Sequence, residues 1–76
     1  MQKEIFERLS HIDQLIRIKG TGTPSQLAEK IGMSERSMYD YIRLMKEFGA
    51  PVVYSRERQS YYYLHDGSFI VRFLSE

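Results

Sequence analysis

Apolar positions along the chain recur in two periods, and the change from one to the other divides it. Over residues 3–19, Ile5, Phe6, Leu9, Ile12, Leu15 and Ile16 return every three or four positions. Lys3, Glu4, Glu7, Arg8, Asp13, Arg17 and Lys19 fill the other side in mixed sign, so the stretch predicts an amphipathic helix with one solvated face. A breaker cluster follows, in which Gly20 suits a position just past a helix end, Thr23 an N-cap and Pro24 the first helical position. Leu27, Ala28 and Ile31 then share a face of a second helix, expected over 24–31. Met38, Tyr41 or Ile42, Met45 and Phe48 mark the buried stripe of a third, expected over 34–48. Between these two, Gly32 suits a left-handed backbone and Ser34 can cap the third helix. Small Ala28 lets the helices cross closely, and so short a turn holds them at a steep angle.

Beyond Gly49 the period becomes two. Val52 and Tyr54 fall on one side of a strand and Val53 and Ser55 on the other; Arg56, Glu57, Arg58 and Gln59 form a polar tip, and residues 60–64 return as a second strand. Alternation counted from Leu64 puts Tyr62 inward with it and Tyr61 and Tyr63 outward. After an Asp66, Gly67 turn, Phe69, Val71 and Phe73 alternate with Ile70, Arg72 and Leu74 over 68–74, a short strand apolar on both faces. Such a strand is expected to join the hairpin sheet or to meet a second subunit.

Seventy-six residues make one domain, read as spanning 1–76. A chain of this size buries only about 60% of its unfolded surface, so a partner copy would add to a marginal core. Without cysteine there is neither a disulfide frame nor a thiolate metal site. No apolar run is long enough to span a bilayer, and a cytoplasmic protein with no membrane association is expected. Eleven basic residues stand against ten acidic ones, a formal net charge of +1. Any contact with nucleic acid must therefore rest on a local cluster of cations or on two copies acting together.

The run Leu27, Ala28, Glu29, Lys30, Ile31, Gly32, Met33, Ser34, then Ser37, Met38, Tyr39, then residues 42–47, then Gly49, Ala50, Pro51, Val52 and a Tyr-rich strand resembles the winged helix-turn-helix of bacterial transcription regulators. The similarity is to the DeoR-like and biotin-repressor-like type and covers roughly residues 3–64. It implies an α+β fold: a three-helix core, a C-terminal β-hairpin wing over 51–64 and the additional short strand. It also implies regulation of transcription, so that sequence-specific binding of double-stranded DNA is the expected activity; the marginal core, the near-neutral charge and the doubly apolar strand point to a homodimer, and no cofactor is expected.

The exposed side of the third helix carries Glu35, Arg36, Tyr39, Asp40, Arg43, Lys46 and Glu47, and on that resemblance its N-terminal half faces base edges in a major groove. Arg36 is the candidate reader of guanine O6 and N7, Tyr39 meets a thymine methyl or a phosphate, and Arg43 meets backbone. Ser25, Gln26, Ser34 and Ser37, at two helix starts, add phosphate hydrogen bonds. Arg56 and Arg58 belong to the wing tip. Family members often carry arginine where this chain has Glu35 and Asp40, and Asp40 is spaced to pair with either Arg36 or Arg43. The plainer alternatives are a solvated helix face laced with ion pairs and a hairpin end that discourages strand pairing.

A rival function is that of a protein-interaction module, with Tyr61, Tyr63, Phe69, Val71 and Phe73 as the interface that dimerises or holds a partner. Enzymatic chemistry has little to stand on. His11 and His65 have no metal-type partner at helical spacing, and there is no nucleotide-binding loop or nucleophile elbow. The Gly20, Thr21, Gly22 run lacks the preceding strand and following lysine of a phosphate loop. No metal and no small-molecule ligand are expected.

Overall fold

The computed structural model describes residues 2–70, with side chains over 4–70. Three helices precede a two-stranded antiparallel sheet, making a small α+β domain compatible with a winged-helix layout: α1 (Gln2–Arg17), α2 (Pro24–Ile31), α3 (Glu35–Glu47), β1 (Val52–Ser55) and β2 (Ser60–Tyr63).

Local chemistry sets the helix ends. Thr23 caps α2 in a reciprocal box: the Gln26 N–H donates to Thr23 Oγ1 at 3.2 Å, and the Thr23 N–H donates to Gln26 Oε1 at 2.9 Å. Gly32 closes α2 in the left-handed conformation at φ 84°, a cost most side chains would feel. Ser34 caps α3 by accepting from the Ser37 N–H at 3.1 Å. At the end of α1 the left-handed residue is Lys19, at φ 56°, and not Gly20, whose N–H bonds Leu15 O at 2.9 Å.

Leu9, Ile12 and Ile16 of α1 meet Leu27 and Ala28 of α2, Met38, Ile42 and Met45 of α3, and Val52 and Tyr61 of the sheet in one core. Ile5, Phe6 and Phe48, expected in the buried stripes, lie at its edge instead, 38%, 51% and 73% exposed. Phe48 is the C-cap of α3, where the helical period has run out. Asp13, expected on the solvated face, is buried at 3% exposure. Its Oδ1 accepts from the Tyr63 hydroxyl at 2.7 Å and from the Phe69 N–H at 2.7 Å, and its Oδ2 accepts from Arg17 Nε at 3.0 Å. These donors replace the water that a carboxylate gives up on burial.

The hairpin pairs Val52 with Tyr63, Val53 with Tyr62, Tyr54 with Tyr61 and Ser55 with Ser60. Val52 and Tyr54 share a face as expected. That register puts Tyr61 and Tyr63 on the same inward face, which corrects the alternation counted from Leu64. Tyr61 is buried, Tyr63 half-buried, and Leu64 lies 58% exposed beyond the strand. Because side chains alternate with period two, the Val52 face fixes which tyrosines turn inward, and a one-residue error reverses them all. The rings of Tyr54 and Tyr61 meet edge to face across the strands, centroids 5.0 Å apart.

The Gly20, Thr21, Gly22 run packs against the hairpin through its central residue. Thr21 is fully buried, and its Oγ1 accepts the Tyr61 N–H at 2.8 Å and lies 3.1 Å from Ser60 Oγ. Residues 68–70 form no strand: the Phe69 N–H is taken by Asp13, and its ring lies edge-on to Phe48, centroids 6.1 Å apart. The rest of the expected strand, including Val71 and Phe73, lies outside the described residues.

Candidate nucleic-acid interface

The helical period of α3 sends Arg36, Tyr39, Asp40, Arg43 and Lys46 to one side, away from the buried Met38, Ile42 and Met45 stripe. β1 packs against α3, and the inward face of the hairpin turns Tyr54 and Tyr61 towards that row. Between helix and hairpin a cleft of about 850 Å³ opens, lined by the five α3 residues with Ile42, Tyr54 and Tyr61. Three cations and one carboxylate edge it, a local positive excess on a chain whose net charge is only +1.

The carboxylate is already engaged. Arg43 Nη1 lies 3.6 Å from Asp40 Oδ1, which resolves the choice between Arg36 and Arg43 in favour of the latter. Among the described residues no carboxylate lies within salt-bridge distance of Arg36 or Lys46. Tyr61 forms part of the floor, and its phenol is pushed up to about 12, first by burial and then by the neighbouring Tyr39, Tyr54 and Glu35. A neutral, largely covered ring there gives the cleft an apolar base beneath charged walls.

The other expected contacts are not in this lining. Ser25 and Gln26 are exposed on the first turn of α2, with Gln26 Oε1 committed to the cap. Ser34 and Ser37 bond each other at 3.2 Å at the start of α3, and Glu35 is exposed beside them. Arg56 and Arg58 are exposed at the hairpin tip, where the Arg58 N–H donates to Ser55 Oγ at 3.2 Å. Lys46, placed by sequence on the exposed side of the third helix without a role of its own, joins the lining, and Tyr54 was not among the expected contacts. The signal for Tyr54 was its place on the Val52 face, which meets the core and so turns towards α3.

A second cavity, of about 720 Å³, opens between the start of α1, the end of α3 and the segment after β2. Ile5, Phe6, Leu44, Phe48, Phe69 and Ile70 are among its lining. Of the expected interface tyrosines, Tyr61 is absorbed in the core and Tyr63 is held by Asp13, so exposed apolar surface gathers here and not on an outward tyrosine pair. No described helix is long and apolar enough to cross a membrane. No family model, curated protein or solved structure matches the chain.

Proposed function

We propose that the chain is a sequence-specific double-stranded DNA-binding protein that regulates transcription as a cytoplasmic homodimer. The supporting observation is the α3–hairpin cleft, which gathers Arg36, Arg43 and Lys46 on one exposed face above tyrosine rings. A B-form major groove is about 12 Å wide and admits an α-helix. With α3 laid in it, Arg36 in the first turns meets base edges, while Arg43 and Lys46 take backbone phosphates nearer the helix end. The hairpin then serves as the wing, its Arg56 and Arg58 on the flanking phosphates. Two copies would double a small electrostatic footprint, which is what a nearly neutral chain needs. The transcriptional role rests on the resemblance, and the homodimer on the small core and the near-neutral charge.

The rival reading, a protein-interaction module, draws support from the second cavity, where Phe6, Phe48 and Ile70 are 51%, 73% and 62% exposed. Amide shifts followed by NMR during titration with a duplex of mixed sequence separate the two. Perturbation of α3 and the hairpin tip supports DNA binding. Shifts absent there at low salt would overturn it and leave the interaction module.

A further inference from the structure

Asp40 stands in the middle of the cation row, one turn after Arg36 and one turn before Arg43. Its ion pair with Arg43 is open to solvent, the two side chains being 60% and 70% exposed, and pairs of this kind add little to folding. Helix propensity gives no reason for it either, since aspartate is a poor helix former away from the first turn. A carboxylate here therefore weakens a face where cations gather, without a matching structural return.

We infer that Asp40 sets the specificity of this surface by suppressing binding to non-cognate duplex; the inference rests on the DNA-binding reading above. Non-specific binding comes almost entirely from phosphate neutralisation. On the outside of a duplex, Arg43 must leave Asp40 to reach a phosphate, and the carboxylate is then left facing the anionic backbone. Seated in the major groove at its own site, the same carboxylate faces base edges, where a cytosine N4 amino group donates to it. The penalty falls mainly on wrong sequences, so the ratio of specific to non-specific affinity rises while overall affinity falls.

The test compares the full chain with Asp40→Ala and Asp40→Asn on random duplex and on a duplex selected by the wild-type protein, across a salt series. For both variants, affinity for random duplex should rise about tenfold near 50 mM salt and the log–log salt slope should steepen by about one. Affinity for the selected duplex should rise less or fall. Adding Arg43→Gln to Asp40→Ala should remove the gain. Unchanged slope and affinity on random duplex, with wild-type selection intact, would overturn the role of Asp40 alone. Failure of wild type and variants to bind any duplex at low salt would overturn the DNA-binding reading and this inference together.

Discussion

The Tyr63 hydroxyl donates to Asp13 Oδ1 at 2.7 Å, tying the end of β2 to the middle of α1 across fifty positions of sequence. The same oxygen holds the Phe69 N–H, so one buried carboxylate anchors α1, the hairpin and the segment that follows it. Asp13→Ala removes the acceptor for three donors, the Tyr63 hydroxyl, the Phe69 N–H and Arg17 Nε, and should cost about 2–4 kcal/mol, whereas Tyr63→Phe, which leaves the carboxylate two other partners, should cost about 1 kcal/mol. Urea unfolding midpoints at neutral pH measure both, and equal losses would contradict the hub.

Stability should fall in alkali through the inward tyrosines. The phenol of Tyr61 is pushed from 10.0 to about 12 by burial, and that of Tyr63 is raised by burial and by its bond to Asp13. Unfolded tyrosines lose their protons first, so above about pH 10 the unfolded chain binds fewer protons than the folded one and stability declines as pH rises. The contribution is fully present below pH 10 and is lost as the folded phenols ionise. Unfolding midpoints taken at steps from about pH 8 to 12 should fall less steeply in Tyr61→Phe than in wild type. Parallel curves would contradict the assignment.

Thr21 links the α1–α2 connection to β2 through its hydroxyl. Thr21→Val keeps the shape but leaves the buried Tyr61 N–H without its acceptor, and should cost about 1–3 kcal/mol. Hydrogen exchange at the Tyr61 amide should speed up, and Thr21→Ser should restore most of the protection.

Arg36 and Arg58 should differ in kind. Arg36→Ala is expected to cost about 1–3 kcal/mol on the preferred duplex and to relax the preference at one base position. Arg58→Ala should weaken all duplexes alike and lower the salt slope by about one. Binding isotherms for matched and mismatched duplexes distinguish them, and identical losses would contradict the two roles.

Much of the architecture was legible because helix ends are local. Thr23 with Pro24, Gly32 and Ser34 each act within a few residues, and those are the positions at which α2 begins and ends and α3 begins. The row of Arg36, Tyr39, Asp40 and Arg43 was legible for the same reason, since helical period alone puts those side chains together. Hairpin parity was not. It depends on which strand face meets the core, which Val52 decides and Leu64, beyond the last pair, does not. Nor was the burial of Asp13, whose donors lie 50 and 56 residues away; a lone carboxylate among mixed charges carries no mark of a distant hydroxyl. The cleft was half legible: its helix wall and Tyr54 on the Val52 face were readable, while Tyr61 was hidden behind the parity error.

Selection from a pool of random duplex DNA, sequenced after binding at two salt concentrations, tests the proposed function most directly. The expected result is an enriched motif that survives the higher salt, as an inverted repeat with half-sites about one helical turn apart. Motif-free binding that vanishes with salt, or no binding even at low salt, would contradict it.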